Sequence, residues 1–206
     1  MSAISRTPLR SNRSRATLLA AVAAASALTL SACSSGGTSG GGGDTNFVMG
    51  KDGISTVKKG ERADAPDLSG ETVDGKQLDV AADYKGKIVV LNVWGSWCAP
   101  CRAEAPNLET VYSDLKSKGV QFVGINTRDT KTSNAQAFEK QYGVSFPSLY
   151  DPTGKLMLRF KKGTLNPQAI PSTLVIDREG KIAARSLAAL SEDKLRKMIA
   201  PVLAEK

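Results

Sequence analysis

Two cysteines separated by two residues, Cys98 and Cys101, are the side chains best placed for chemistry. An apolar, β-branched run of strand length, Ile88 to Trp94, precedes them. Apolar residues with helical spacing follow them: Leu108, Val111, Tyr112 and Leu115. Cys98 is therefore expected at a helix N-terminus, where unpaired N–H groups and the helix dipole favour an anion. Such a cysteine ionises readily, and a second one, one turn along, can close a disulfide with it, so the spacing predicts thiol–disulfide exchange.

Zinc binding and simple burial are the alternative roles for this pair. A four-coordinate zinc site needs further cysteine or histidine ligands. The chain has no histidine, and its remaining cysteine, Cys33, lies far upstream. The strand–turn–helix context and the adjacent Trp97 argue against purely structural cysteines. We therefore predict a redox-active pair and no metal site.

The first 32 residues have the pattern of an export signal. Arginines are followed by an alanine-rich apolar run that is too short for a membrane span of about 20 residues. The run ends in Leu30-Ser31-Ala32-Cys33, which resembles the lipobox of bacterial lipoproteins, where cleavage leaves a lipid-modified N-terminal cysteine. An ordinary signal peptide with a chance cysteine is the alternative. We expect lipidation at Cys33 and a location at the extracytoplasmic face of the bacterial cell membrane.

Length and composition predict one folded domain with attached segments. The chain has 206 residues, of which 41% are hydrophobic and 23% charged, enough for a real core. Four of its 28 basic residues lie in the leader; the remaining 24 face 20 acidic residues, an excess of +4 that gives no case for nucleic-acid binding. We divide the chain into a signal peptide at 1–32, a lipid-anchored flexible Gly/Ser-rich linker at 33–62 and the domain at 63–206. Residues 47–62 are expected to be poorly ordered.

Turn signals and apolar periodicity predict the elements of the domain. Asp74-Gly75 is typical of a β-hairpin turn, here the turn of an N-terminal hairpin. Strands then alternate with helices before a final antiparallel hairpin and helix, so we expect an α/β fold with a mixed β-sheet flanked by helices. Pro201 is expected to kink or end the last helix. The predicted strands are 88–94, 120–126, 146–150, 172–177 and 181–186. The first predicted helix follows residue 98, the second covers 133–142, the third ends at 160 and the last begins near 191.

Two stretches are more specific than the cysteine spacing: WCAPCRAEAP, from Trp97, and IPSTLVID, from Ile170. With them the chain resembles the TlpA/ResA-type branch of the thioredoxin superfamily, from about residue 65 to 202. The resemblance implies a thioredoxin fold with an N-terminal β-hairpin extension and a central helix–strand insert, which we place at 133–150. It also implies an extracytoplasmic, membrane-tethered thiol–disulfide oxidoreductase. We expect no cofactor.

The resemblance also assigns substrate-binding residues. Pro171 matches the family's cis-proline beside the active site, and the backbone of Ile170 is then expected to pair with a bound substrate strand. A trans proline that opens a strand is the alternative. Trp97 and Pro100 are expected in the docking face, although Trp97 could also be plain core.

Glu104 matches an acidic residue that this branch places one turn after the second cysteine. A carboxylate close to the thiols raises their pKa and can relay a proton to Cys101. A solvated glutamate in the first helical turn is the alternative. Asn92 stands where ordinary thioredoxins carry a buried acid, which makes Glu104 the candidate substitute.

We predict that the Cys98 thiolate attacks a substrate disulfide and that Cys101 then releases the reduced substrate. The absence of a histidine between the cysteines and the presence of Glu104 favour a reductase of exported proteins, recharged by a membrane electron donor. Some relatives reduce apocytochrome c. The alternatives are an extracytoplasmic disulfide oxidase and a peroxiredoxin-like thiol peroxidase, although peroxiredoxins carry Thr where this chain has Gly95. A copper-handling lipoprotein of this fold would use a histidine ligand, which the sequence lacks.

Overall fold

A computed structural model of the chain describes residues 45–205. The predicted signal peptide, the lipobox and Cys33 lie outside the described residues. Among residues 45–205, no helix combines the length and the apolar character needed to cross a membrane.

The described residues form strands and helices in alternation. The strands are β1 Val48–Met49, β2 Ile54–Thr56, β3 Ser69–Glu71, β4 Gln77–Asp79, β5 Ile88–Trp94, β6 Val120–Thr127, β7 Ser148–Asp151, β8 Ser172–Ile176 and β9 Ile182–Ser186. The α-helices are α1 Val80–Asp83, α2 Ala99–Leu115, α3 Thr132–Tyr142 and α4 Glu192–Ala204, and short 3₁₀-helices cover Lys116–Lys118 and Met157–Arg159.

The main sheet has β5 near its centre. Within residues 45–205 its seven strands follow the order β1-β2-β9-β8-β5-β6-β7. β5 is parallel to β6 and antiparallel to β8, and β6 is parallel to β7. Every residue of β5 is buried, which explains why its sequence, apart from Asn92, is apolar without alternation. The expected mixed sheet flanked by helices is confirmed, and the predicted Asp74-Gly75 hairpin is the separate pair β3–β4.

Successive residues of β5 face different cores, as the pleat of a strand requires. Ile88 and Val90 pack in a cluster with the apolar residues of α2 and α4. Val89, Leu91 and Val93 pack in a second cluster on the other face, beneath the β3–β4 hairpin and the segment around the 3₁₀-helix Met157–Arg159. Each such side chain, fully buried, stabilises the fold by about 1.5–3 kcal/mol. The strand that leads to the cysteines is thus held from both sides.

The central insert is present as a helix and a strand, α3 and β7, in agreement with the prediction for 133–150. Its Phe138 stacks on Trp94, with ring centroids 4.4 Å apart, and both belong to a small cluster that includes the two cysteines. Trp94 is therefore core, and α3 forms one wall behind the disulfide.

The expectation that residues 47–62 are poorly ordered is wrong. β2 pairs with β9, with Ile54 opposite Ser186, and β1 extends the same edge. Arg62 then forms ion pairs with Asp177 at 2.8 Å and Glu205 at 2.6 Å. Strands of two or three residues owe their position to backbone pairing with a distant partner, so they leave little periodicity in the sequence.

One prediction about a helix is also wrong, and a second is contradicted only in part. The helix expected to end at Phe160 is only the 3₁₀-helix Met157–Arg159. Pro201 does not end α4, which continues to Ala204 because the buried face of the helix stays packed, and the alternative that Pro201 kinks the helix stays a prediction.

Candidate active site

A disulfide joins Cys98 and Cys101 at the N-terminus of α2. Cys98 is the N-cap residue, and its sulfur accepts a hydrogen bond from the backbone N–H of Cys101 at 3.2 Å. Pro100 lies in the first turn, where its missing N–H leaves no helical bond unmade. When the disulfide is reduced, this N–H and the helix dipole favour the thiolate of Cys98 over that of Cys101, which lies deeper in the helix.

The chain reaches the disulfide a second time at Ile170 and Pro171, whose peptide bond is cis. The Sγ atom of Cys98 lies 3.6 Å from the carbonyl oxygen of Ile170. This proximity follows from the sheet, because β8 begins at Ser172 and pairs with the end of β5 at Val93. The backbone of Ile170 is thus next to the Cys98 sulfur.

Trp97 lies beside the disulfide with 46% of its surface exposed. Its indole N–H donates to the carbonyl oxygen of Thr127 at 3.2 Å, which fixes the ring against the end of β6. The alternative that Trp97 is plain core is therefore wrong, and its exposed ring suits a docking surface.

Gly95 permits this placement of the tryptophan. A Cβ atom at position 95 would overlap the Trp97 ring and come within 3.0 Å of the Thr127 carbonyl oxygen. A threonine, the residue that peroxiredoxins carry there, cannot be accommodated without displacing Trp97. The geometry at Gly95 argues against a peroxidase site.

The side chain of Glu104 is almost completely buried, with 1% of its surface exposed, so the alternative of a solvated glutamate is wrong. Its carboxylate accepts hydrogen bonds from the Asn92 amide at 2.8 Å and from the Leu190 backbone N–H at 2.9 Å, rather than from a sulfur. The Asn92 amide also donates to Thr173 at 3.1 Å. Burial raises the pKa of Glu104 to about 7, against the opposing effect of these two hydrogen bonds. A carboxyl group with this pKa can gain or lose a proton near neutrality.

Sequence reasoning missed a second buried carboxylate, Asp129, in the loop between β6 and α3. It accepts hydrogen bonds from the Ser96 backbone N–H at 2.8 Å, from the Ser96 hydroxyl and from the Asn126 amide at 2.7 Å. The hydroxyl of Tyr150 donates to its backbone carbonyl at 2.9 Å. Because Ser96 precedes Trp97 and Cys98, Asp129 holds the turn that carries Cys98. The available signal was topological: β5 and β6 are parallel neighbours, so the loops after them leave the same edge of the sheet.

Two arginines also contact this turn. Arg102 donates to the carbonyl oxygen of Ser96 at 2.9 Å. The guanidinium carbon of Arg128 lies 5.6 Å from the centre of the Trp97 ring. Of the predicted site residues, Cys98, Cys101, Trp97, Pro100, Ile170 and Pro171 surround the disulfide, Glu104 lies one helical turn beneath it, and Cys33 is outside the described residues.

Comparison with known proteins agrees with this geometry. A family model described as Redoxin matches residues 58–199. The chain belongs to the redoxin family. It is a ResA-type thioredoxin-like protein and a thiol–disulfide oxidoreductase, as the resemblance implied.

Three similar proteins illustrate the relationship. The thiol-disulfide oxidoreductase ResA of Bacillus subtilis is 37% identical over 133 residues, which cover 65% of this chain and 68% of ResA. The crystal structure of a DsbF homologue from Corynebacterium diphtheriae has 38% identity and a TM-score of 0.68, covering 74% of this chain and 94% of that one. A secreted thiol-disulfide isomerase from Corynebacterium glutamicum has 30% identity and a TM-score of 0.69, covering 74% and 93%. The thioredoxin fold is therefore confirmed.

Proposed function

We propose that this protein is a membrane-tethered, extracytoplasmic reductase of disulfides in exported proteins, apocytochrome c being one candidate. Three observations support the proposal: the Cys98–Cys101 disulfide at a helix N-terminus, the exposed Trp97 beside it, and the Ile170 backbone 3.6 Å from the Cys98 sulfur. The lipobox-like Leu30-Ser31-Ala32-Cys33 supports the anchor, and the secreted relative from Corynebacterium glutamicum supports the compartment.

In the proposed reaction, the Cys98 thiolate attacks one sulfur of the substrate disulfide and forms a mixed disulfide. The other substrate sulfur leaves as a thiolate and takes up a proton. Cys101 then loses its proton and attacks the Cys98 sulfur, which releases the second substrate sulfur. Two electrons pass to the substrate, and the new Cys98–Cys101 disulfide must be reduced again by a dithiol partner in the membrane.

Glu104 is the proposed acceptor of the Cys101 proton. Residues three apart on a helix have Cβ atoms about 5–6 Å apart, and we propose that the proton passes from Cys101 to the carboxyl group directly or through one water. Its pKa of about 7 allows it to accept the proton and to return it near neutral pH. This buried group carries the assignment as reductase, because its negative charge disfavours a thiolate nearby and so disfavours the reduced pair that makes a strong oxidant.

A redox titration of the purified protein tests the direction. We expect a reduction potential nearer that of thioredoxin, about −270 mV, than that of DsbA, about −120 mV. Glu104→Gln should lower the cysteine pKa values and shift the potential toward oxidising values. A wild-type potential at the oxidising end, with the disulfide fully formed in cells, would identify an oxidase instead.

The order of attack is tested by alkylation of the reduced protein. Iodoacetamide near neutral pH should label Cys98 before Cys101, because the helix N-terminus favours the Cys98 thiolate. A Cys101→Ala variant should accumulate mixed disulfides through Cys98, and Cys98→Ala should accumulate far fewer. Faster labelling of Cys101 would reverse the assigned roles.

Membrane fractionation tests the anchor. Lipidated protein should sediment with membranes, whereas Cys33→Ala should be released or left unprocessed. Mass spectrometry that finds an unmodified mature N-terminus elsewhere in the leader would exclude the lipid anchor.

A further inference from the structure

Arg128 has a backbone conformation that its side chain does not favour. Its φ is +61°, in the left-handed region where glycine is usually found. Such conformations persist where the surrounding structure imposes them, and they concentrate at functional sites. Arg128 lies in the loop between β6 and α3, next to Asp129.

The side chain of Arg128 contacts both Trp97 and the loop that leads to Ile170, the two parts of the expected docking surface. The guanidinium lies over the Trp97 ring, 5.6 Å from its centre, and its Nη2 donates to the carbonyl oxygen of Pro167 at 2.6 Å. Pro167 belongs to the loop that leads into Ile170 and the cis-proline. A peptide bound to Cys98 and paired with Ile170 therefore has Trp97 along one side, with Arg128 at the edge of the same surface.

Arg128 has N–H donors left over that could bind an anion. An arginine has five N–H donors, and one of these is engaged with Pro167. Among residues 45–205, no carboxylate forms an ion pair with it, and the side chain is exposed. The neighbouring Asp129 carboxylate is buried and turned to Ser96 and Asn126. The other cation at this turn, Arg102, adds to the local positive charge.

We propose that Arg128 is a specificity-determining residue that binds an acidic side chain close to the reacting cysteine of the substrate protein. The proposal rests on the proposed function, since it concerns what occupies the same surface. A guanidinium held over the Trp97 ring, 5.6 Å from its centre, keeps its remaining donors in the planar fork that suits a carboxylate. Charge complementarity of this kind selects partners and speeds their association.

A role confined to holding the loop is the competing explanation. Arg128→Gly separates the two, because glycine accepts the left-handed conformation and removes the guanidinium. If Arg128 only held the loop, its removal would slow all substrates alike. If it binds a substrate carboxylate, removal slows acidic substrates selectively.

The test uses capped peptides whose single cysteine forms a mixed disulfide with 2-mercaptoethanol. Glu is placed in turn at each of the two positions on either side of the cysteine, and matched peptides carry Gln. Rate constants for the reaction with reduced wild-type protein, Arg128→Gly and Arg128→Gln are measured by single-turnover fluorescence and chromatography. Lys85→Gln is the charge-matched control, since Lys85 is exposed and precedes β5, roughly 20 Å from the site along the strand.

We expect wild type and Lys85→Gln to react about tenfold faster with the Glu peptide than with the Gln peptide at the best position, an effect that added salt weakens. In both Arg128 variants the ratio should fall to about two or less, whatever the rate constant with the Gln peptide. A ratio near one in the wild type, or an unchanged ratio in the Arg128 variants, would overturn the proposal, as would an equal loss in Lys85→Gln.

Failure of the proposed function gives a different result, because the wild type then fails to reduce either peptide. In that case the same ratio is measured in the reverse direction, with reduced peptides attacking the oxidised protein. The mixed disulfide is common to both directions, so the dependence on Arg128 is still decided.

Discussion

Two buried carboxylates lie on either side of the Cys98 turn, and they differ in how their charge is accommodated. Asp129 accepts three hydrogen bonds, from the Ser96 N–H, the Ser96 hydroxyl and the Asn126 amide. Glu104 accepts two, from Asn92 and Leu190, and burial raises its pKa to about 7. Burial alone therefore does not assign a role to a carboxylate. Asp129 uses its hydrogen bonds to anchor the turn, whereas the raised pKa of Glu104 allows that residue to exchange a proton near neutral pH.

Removal of the Asp129 carboxylate should have the largest effect. Asp129→Ala leaves the donors of Ser96 and Asn126 without their acceptor, at about 1–3 kcal/mol for each buried unpaired group. We expect the free energy of unfolding to fall by about 3 kcal/mol or more, and alkylation of reduced Cys98 to slow as the turn loosens. Denaturant unfolding at pH 7 measures the first effect and iodoacetamide kinetics the second.

Asp129→Asn is the matched control, because it keeps one acceptor oxygen and should lose about half as much stability. A loss below about 1 kcal/mol for Asp129→Ala would mean that Asp129 does not anchor the turn.

Glu104 should instead make the stability of the fold depend on pH. Its pKa rises from 4.5 in the unfolded chain to about 7 in the fold, so the folded protein retains a proton that the unfolded chain releases. The stability linked to this group is therefore complete below pH 4.5 and is lost as the pH rises through 7. The loss amounts to about 3 kcal/mol at most.

Glu104→Gln cannot ionise, so its unfolding free energy should fall less than that of the wild type between pH 5 and pH 8, by roughly 2–3 kcal/mol. Denaturant unfolding of the oxidised protein across this pH range makes the comparison. Parallel curves for the two proteins would show that Glu104 does not titrate in this window.

Asn92 supplies one of the two hydrogen-bond donors to Glu104, so its removal should make the charged form of Glu104 less favourable. Asn92→Leu keeps a similar shape but removes the hydrogen bond that favours the charged form. The pKa of Glu104 should rise above its present value by about one unit. Carboxyl-carbon NMR titration measures it, with Glu104→Gln to assign the signal. An unchanged or lower pKa would mean that the Asn92 amide does not support the charge.

The parts of the fold that the sequence predicted are those with local signals. The buried run of β5, the Asp74-Gly75 turn and the start of α4 near Ser191 are each indicated by a few neighbouring residues. Cys98 was placed correctly because a strand followed by a helix determines what lies between them. β2 was missed because its position depends on pairing with β9, more than a hundred residues later.

The two buried carboxylates of the site were also hard to predict, because their contacts come from residues distant in the sequence. The family resemblance placed Glu104 one turn after Cys101, but its burial depends on Leu190, which comes from the loop before α4. An aspartate in a polar loop is ordinarily solvated, so nothing near Asp129 in the sequence indicates that it bonds to Ser96. Contacts between loops become predictable only after the parallel pairing of β5 with β6 is known.

Ser96→Ala should give the smallest effect and tests whether the three donors to Asp129 act together. The variant removes the hydroxyl, but the Ser96 backbone N–H still donates to the carboxylate at 2.8 Å. We expect a loss of about 1 kcal/mol, the usual net value of one hydrogen bond. In an Asp129→Ala background the hydroxyl has already lost this acceptor, so the same substitution should cost less there. A double-mutant cycle by denaturant unfolding measures the difference. Equal costs in the two backgrounds would show that the hydroxyl contributes independently of Asp129, and the turn would then be anchored by its backbone N–H and Asn126 alone.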